Sequence, residues 1–224
     1  MPKSIDRAAR REEILARLIA PGATRGEVLA GFGSAFAGAL LALALSLYAG
    51  LPTLACTVVT VVAFDLFGGA VVNATRAAKR WYHRPGRTAA HHLTFVAVHV
   101  QPFLLAAAVP GFSWTSAALV YGCALVAAVL VTMAPAELRR PVAFALTAFA
   151  LTVTTSLASV PHALAWFAPL LLVKLLLAHL VPEEELPEGT GPPGSPGSSG
   201  SPGSPGSLGS PGSPGSPGSP GSPG

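Results

Sequence analysis

Charge is what this sequence has least of. Asp, Glu, Lys and Arg make up 11% of the 224 residues, whereas hydrophobic residues make up 51%. A soluble domain usually carries about 25% charged residues. The segment 191–224 contains only Gly, Pro, Ser and one Leu, so the rest of the chain is more apolar still. The composition therefore excludes a soluble globular domain with a polar surface and predicts an integral membrane protein.

Cysteine and the common cofactor motifs are also scarce. The two cysteines, Cys56 and Cys123, lie at different predicted depths in the membrane, so we expect no disulfide between them. The sequence has no CxxC pair, zinc-finger spacing, haem-attachment motif or phosphate-binding glycine loop. Its net charge of +4 is explained by basic loops that orient a protein in the membrane, rather than by residues that bind nucleic acid. We therefore predict no metal, no cofactor and no nucleic-acid partner.

Two pigment chemistries fit the sequence poorly. Haem b would need two histidines on facing helices at one depth, and His99 has no such partner. A retinal Schiff base would use a lysine in the last helix with an aspartate at the same depth. However, 7% aromatic residues in a six-helix chain are too few to enclose a chromophore.

Six apolar stretches are long enough to cross a bilayer, whose core of about 30 Å needs roughly 20 helical residues. Polar residues or Pro and Gly separate these stretches. They are Val28–Ala49, Pro52–Thr75, His91–Val109, Trp114–Ala134, Pro141–Val160 and His162–Val181. The sequence therefore predicts an all-α polytopic protein, a bundle of six transmembrane helices.

The positions of the basic residues predict the orientation of this bundle. Of the 14 Lys and Arg residues, 13 lie before the first stretch, between the second and third, or between the fourth and fifth. With six spans these three segments share one side of the membrane, and cationic loops stay in the cytoplasm. Both termini are therefore predicted to be cytoplasmic, in a multi-pass protein of the cytoplasmic membrane. The Ala- and Arg-rich composition favours a bacterial source.

The chain divides into three predicted parts, residues 1–27, 28–181 and 182–224. The first is basic and amphipathic, and it either lies on anionic lipid or serves only as a topogenic leader. No cleavable signal peptide is predicted there. The second is the membrane domain. The third is acidic and then rich in Gly, Ser and Pro; its triplets imitate the collagen period, but a disordered or polyproline-like tail is predicted.

Two charged residues fall inside the predicted spans, Asp65 in the second and Lys174 in the sixth. Each costs about 2.5–3.5 kcal/mol if left charged against lipid, so each needs a partner or a wet cavity. At about 1.5 Å per residue both lie roughly 11–15 Å from the cytoplasmic boundary, and His99 in the third span reaches the same level. The sequence thus predicts a buried Asp65–His99–Lys174 layer. Its predicted supporting residues are Asn73, Gln101 and Trp166.

Neighbouring Pro and Gly residues support a polar site at the depth of this layer. Pro102 lacks the amide hydrogen that would bond the carbonyl of Val98, so a kink is expected beside His99. Gly68 and Gly69 allow another helix to approach closely. Two interpretations of the layer remain open. Asp65 and Lys174 can form an ion pair that only joins two helices, or the layer can bind or pass a proton or small polar solute.

A second polar group is predicted at the cytoplasmic edge of the membrane. Its members are Arg76, His91, His92 and His179, with Asn73 and His83 beside them. A solvated loop facing headgroups explains these residues most simply. A second interpretation is a basic pocket around residues 76–87 that binds an anionic headgroup or phosphate. A third interpretation is a metal site, although no recognised ligand spacing is present.

Three functions follow from these patterns. The first is a small binding or transport module, with homo-oligomer formation as an option, that uses the layer for a proton or a small polar solute. The second is a non-catalytic scaffold or regulator in which the ion pair is structural. The third is a membrane enzyme acting on a lipid-like substrate at the cytoplasmic interface, although no catalytic residues are predicted. The halves show no inverted repeat of the kind found in many transporters.

Overall fold

The computed structural model describes residues 20–183. The predictions for residues 1–19 and for the tail from residue 184 onward lie outside the described residues. Within residues 20–183 the chain is helical and has no strand. Its α-helices are α1 (Arg25–Tyr48), α2 (Thr53–Ala74), α3 (Arg76–Tyr82), α4 (Ala89–Ala97), α5 (Gln101–Ala108), α6 (Trp114–Met133), α7 (Arg139–Leu157) and α8 (Phe167–Leu172). Short 3-10 helices span Ala136–Leu138 and His162–Leu164, and a π-helix spans Val173–His179.

Five helical segments are long and apolar enough to cross a membrane. They are Arg25–Tyr48, Thr53–Ala74, Trp114–Met133, Ala136–Leu157 and His162–His179. Large apolar side chains such as Leu40 and Phe149 are exposed, whereas alanine is the commonest buried residue. A bilayer covers an apolar surface of this extent, which soluble proteins rarely expose. The predicted all-helical fold is confirmed, with five helices that can span a membrane.

The predicted third span, His91–Val109, is not one continuous helix. A short non-helical break at His99 divides it into α4 and α5. Pro102 supplies the reason, because it has no amide hydrogen for the carbonyl of Val98. That carbonyl instead accepts from the amide of Val100 at 2.9 Å. The interruption expected beside His99 is confirmed, and this segment is not among the five helices of the described residues that are long and apolar enough to cross a membrane.

The predicted sixth span, His162–Val181, is also irregular. It begins as a 3-10 helix, continues as α8 and ends as the π-helix Val173–His179. Pro169 removes one helical donor from this segment, which favours a change of hydrogen-bond pattern. Lys174 and His179 both lie in the π-helix, and each is 2% exposed. Because π-helical turns are frequent at functional sites, this irregularity draws attention to the two buried ionisable side chains.

Several charged segments meet at one end of the bundle, here called the basic end. It comprises the start of α1, helix α3 with the loop that follows, the start of α7 and the end of the last helix. Glu27 Oε1 accepts from the amide of Ala77 at 3.2 Å. His83 Nε2 donates to the carbonyl of His179 at 3.0 Å. His83 and Arg139 line the same cavity. These contacts bring four separate stretches of the chain together.

The short uncharged connections meet at the opposite end. There the rings of Phe112 and Phe167 are 6.1 Å apart. Ser116 Oγ donates to the carbonyl of Ser159 at 3.0 Å. Thr88, by contrast, lines a cavity at the basic end. The segment that contains α4 and α5 therefore begins beside the cavity at the basic end and is followed by Phe112, which packs on the start of α8.

Helices α1 and α2 pack very closely because small residues face each other. A Cβ on Gly38 would lie 2.2 Å from the ring of Phe67, and one on Gly68 would lie 2.7 Å from the Cβ of Ala35. Only glycine therefore fits at these two contacts. The buried face of α1 consists of Gly31, Ala35, Gly38, Ala39, Ala42 and Ser46. This close packing fixes the helix that carries Asp65 against α1.

Candidate functional site

The structure joins Asp65 and Lys174 directly. Lys174 Nζ lies 2.7 Å from Asp65 Oδ2 and 3.3 Å from the Asp65 carbonyl oxygen. The Lys174 side chain is 3% exposed and that of Asp65 is 49% exposed, so the ammonium is buried while the carboxylate is half open. A Cβ on Gly69 would lie 2.5 Å from Lys174 Cε, so the absence of a side chain there makes room for the lysine.

Gln101 and His99 come from the break between α4 and α5. Gln101 Nε2 donates to Asp65 Oδ2 at 3.1 Å, the same oxygen that holds the lysine. His99 Nδ1 donates to the carbonyl of Phe95 at 2.6 Å. This bond places the hydrogen on Nδ1 of the neutral ring and leaves Nε2 as an acceptor. His99 is 7% exposed and lines the same cavity as Asp65 and Lys174.

That cavity has a volume of about 380 Å³ and lies between α1, α2, α4 and the π-helix. Its ionisable lining residues are Asp65, Tyr82, His99 and Lys174. Asn73 also lines it, is 4% exposed, and its buried Nδ2 has no hydrogen-bond partner among the described residues. Leaving a buried amide unbonded costs about 1–3 kcal/mol, so this group favours a guest that supplies an acceptor. The cavity thus combines a carboxylate, an ammonium, an imidazole and an amide.

Three predicted residues lie away from the cavity. Trp166 Nε1 donates to the carbonyl of Ala163 at 2.9 Å, and its ring packs on Phe67 at 5.6 Å. Arg76 Nε lies 3.1 Å from Glu183 Oε1 in an exposed ion pair. His91 bonds Thr88 and caps the start of α4. Each of these side chains therefore has a local structural role.

A cluster of histidine rings connects the cavity with the basic end. His92 Nδ1 and His179 Nε2 are 3.3 Å apart, so one ring donates to the other. The ring of His83 stacks on His92 at 4.8 Å. His179 is 2% exposed and stacks on Phe95 at 3.8 Å, and Phe95 in turn contacts His99 at 4.7 Å. The polar group that was predicted at the cytoplasmic edge therefore contributes His92 and His179, together with His83, to one continuous set of rings.

Phe95 and Tyr82 are the residues that sequence reasoning missed. Their rings are 5.6 Å apart, and both line the 380 Å³ cavity and a neighbouring one of about 440 Å³ that also contains His92 and His179. They therefore separate the two spaces. The position of Phe95, one helical turn before His99, was a usable signal for it. No comparable pattern identified Tyr82, because it reaches the cavity from α3.

Burial at the basic end lowers the pKa of two groups outside the spans. Burial lowers the pKa of His83, and the nearby charges of Lys79 and Arg139 lower it further, against the opposing effect of the His179 carbonyl. Burial lowers the pKa of Lys79 to about 8, although the Glu183 carboxylate acts in the opposite direction. Lys79 Nζ also donates to the carbonyls of Leu177 and Val181. These contacts attach α3 to the end of the last helix.

Within residues 20–183 no group of three His, Cys, Asp or Glu side chains is arranged to hold a metal ion. Both cysteines are free. The chain matches no model of a protein family, no curated protein and no solved structure.

Proposed function

We propose that the chain is a six-span protein of the cytoplasmic membrane that binds or transports a proton or a small polar solute at the Asp65–His99–Lys174 layer. The observation that carries this proposal is the 380 Å³ cavity lined by all three residues. This volume lies at the low end of the roughly 300–1,000 Å³ typical of ligand sites, which suits a solute of few atoms. Intramembrane ionisable residues that line a cavity are typical of ion and proton pathways.

The chemistry of the layer favours a guest that carries both charges or moves a proton. A zwitterion can place its ammonium on Asp65 and its carboxylate on Lys174, replacing their contact with each other. A proton can instead pass between Asp65 and the free Nε2 of His99. The half-open Asp65 carboxylate is the accessible member of the pair, whereas the Lys174 ammonium is enclosed. Asp65 is therefore the proposed point of first contact.

A structural role is the second candidate, and the pair itself favours it. A 2.7 Å contact between a buried lysine and an aspartate joins α2 to the last helix without needing any guest. Removing one partner from such a pair typically costs about 3–5 kcal/mol, whereas replacing both is often tolerated. The two candidate functions therefore differ in the expected behaviour of a variant in which Asp65 and Lys174 are both replaced.

Proton flux tests the first candidate. Proteoliposomes that enclose a pH-sensitive dye are given a potassium diffusion potential with valinomycin, and internal pH is followed. We expect flux from the unmodified chain and a loss of at least about tenfold in Asp65→Asn and His99→Gln without loss of folding. The control Glu137→Gln removes an exposed carboxylate outside the cavity and should leave flux unchanged.

Binding of a small polar solute is tested with glycine as a zwitterionic probe. The melting temperature of the protein in uncharged detergent should rise with glycine, and the rise should disappear in Asp65→Asn. Absence of both proton flux and glycine stabilisation contradicts the proposal. If Asp65→Asn and Lys174→Met each unfold the protein while the double variant is stable, the structural role is the correct one.

The six-span arrangement has its own test. The route of α4 and α5 along the bundle supports a sixth crossing, with the basic end in the cytoplasm. In a chain whose Cys56 and Cys123 are changed to alanine, Gly86→Cys and Pro110→Cys are treated with a membrane-impermeant thiol reagent. Position 110 should react in intact cells and position 86 only in inside-out vesicles. Reaction of position 86 in intact cells contradicts the orientation.

A further inference from the structure

A separate cavity of about 230 Å³ lies at the basic end, away from the Asp65 layer. It is enclosed by the loop after α3, the start of α4, the start of α7 and the end of the last helix. Its polar lining residues are His83, Arg87, Thr88, His92, Thr132 and Arg139. This cavity is lined mainly by polar side chains.

Two arginines in this cavity each have a buried nitrogen that lacks a hydrogen-bond partner among the described residues. These nitrogens are the Nε atoms of Arg87 and Arg139. No acidic side chain is among the described residues that line the cavity. Arg76 shows the contrast, because it forms an ion pair with Glu183. Buried guanidinium nitrogens without partners are costly, so two of them in one polar cavity indicate a site for an anion.

The remaining lining groups suit an oxyanion. Thr88 and Thr132 place hydroxyl oxygens in the lining, where they bond His91 Nδ1 and the Val129 carbonyl, each at 2.9 Å. His83 and His92 supply imidazole rings. Thr88 is also the N-cap residue of α4, where the first backbone amides of the helix are directed toward the cap. Guanidinium groups form paired bonds with the oxygens of phosphate and carboxylate.

We propose that Arg87 and Arg139 form a binding site for a phosphate group in this cavity at the basic end of the bundle. The phosphate can be free in solution or the terminal monoester headgroup of a lipid. The cavity is too small for more than a headgroup, so acyl chains would lie outside it, against the bundle. This site is independent of the Asp65–His99–Lys174 layer and of its proposed function.

The proposed site overlaps the anion pocket expected around residues 76–87, because His83 and Arg87 belong to both. Two predicted members of that pocket already have partners. Arg76 forms an ion pair with Glu183, and His91 bonds Thr88. The two arginines of the site come from the loop after α3 and from the first residue of α7, which are far apart in sequence. His92 also belongs to both the predicted polar group and the proposed site.

Binding is measured with the full chain in uncharged maltoside detergent, with inorganic phosphate as the probe and chloride at equal ionic strength as the reference. We expect saturable heat of binding, and at least about tenfold weaker affinity in Arg87→Gln and in Arg139→Gln. Arg80→Gln is the matched control, because Arg80 is exposed on the same basic segment and does not line the cavity. It should bind phosphate as the unmodified chain does.

A second arm identifies the source of the phosphate group. Nanodiscs of phosphatidylcholine with or without phosphatidic acid are compared by the melting temperature of the protein. Stabilisation by phosphatidic acid that disappears in Arg87→Gln, without binding of inorganic phosphate, assigns the site to a lipid headgroup. Binding of inorganic phosphate alone assigns it to a soluble anion. Equal losses in Arg80→Gln and Arg87→Gln overturn the proposal, because they indicate nonspecific charge attraction.

A measurement on the unmodified chain covers the case in which the variants fail to fold. Phenylglyoxal modifies accessible arginines, and mass spectrometry identifies the modified positions. Phosphate, or phosphatidic acid in nanodiscs, should protect Arg87 and Arg139 while leaving Arg80 reactive. If neither ligand protects Arg87 and Arg139, the proposed site is wrong.

Discussion

Substituting alanine for Gly69 should open the Asp65–Lys174 contact without removing either charge. The new Cβ would lie 2.5 Å from Lys174 Cε and 2.7 Å from Nζ. Because ordinary contacts between carbon atoms are about 3.5–4.0 Å, the end of the lysine must move by roughly 1 Å or more. Nζ is only 2.7 Å from Asp65 Oδ2, so a movement of this size away from the carboxylate breaks the hydrogen bond.

The expected loss of stability follows from that displacement. A hydrogen bond to a charged group contributes about 1.5–3 kcal/mol, and the half-exposed Asp65 places this one toward the lower value. Alanine is favoured over glycine in a helix by up to about 1 kcal/mol, which offsets part of the loss. We therefore expect the free energy of unfolding to fall by about 1 kcal/mol, and less in a Lys174→Met background, where no ion pair is lost.

Reversible unfolding in mixed micelles, followed by tryptophan fluorescence, measures this change. Gly33→Ala is the matched control, because a Cβ there would meet nothing within 4 Å and should leave stability unchanged or raised. If Gly69→Ala is as harmless as Gly33→Ala, or equally costly with and without the Lys174 ammonium, the lysine does not occupy the space that the glycine leaves.

Three further changes test the packing and the electrostatics. Tyr121→Phe removes the 2.7 Å bond from the hydroxyl to the last carbonyl of α4 and should lower the unfolding free energy by about 0.5–1.5 kcal/mol, whereas Tyr48→Phe, at an exposed position, should not. Gly38→Ala should lower the melting temperature more than Gly33→Ala does, because its Cβ meets the side chain of Phe67 at 2.2 Å. Lys79 has a pKa of about 8, below its ordinary value of 10.5, so the unfolded state holds more protons between these values. Stability should therefore rise with pH in that range for the unmodified chain, and rise less in Lys79→Met. Equal pH profiles for the two proteins would contradict the burial of Lys79.

The periodic apolar pattern was enough to predict an all-helical chain, because a run of about 20 apolar residues has few structural alternatives. Counting residues from the cytoplasmic end of each span predicted one depth for Asp65, His99 and Lys174, since depth along a helix follows from residue number. Pro102 identified the break beside His99, because the loss of an amide hydrogen is a local effect.

Counting could not reveal which side chains meet at that level. Trp166 shares a helix stripe with Lys174 by spacing, but the irregular last helix places it on Phe67 instead. Tyr82 lines the cavity because α3 folds back toward α4, where it contacts Phe95, and no local pattern specifies that contact. Arg76 and His91 looked like members of a basic pocket, yet nearby side chains already hold them.

The sequence by itself determined the helical fold class and the apolar segments compatible with a membrane, and it predicted one depth for Asp65, His99 and Lys174. These properties follow from the solvation of single residues and from a fixed helical rise, which are local quantities. Only the tertiary structure decided that Gly69 makes room for Lys174, that Asn73 is left without a partner, and that Arg87 and Arg139 share a cavity. These are contacts between distant parts of the chain, and they depend on how helices rotate and pack, which hydropathy does not encode.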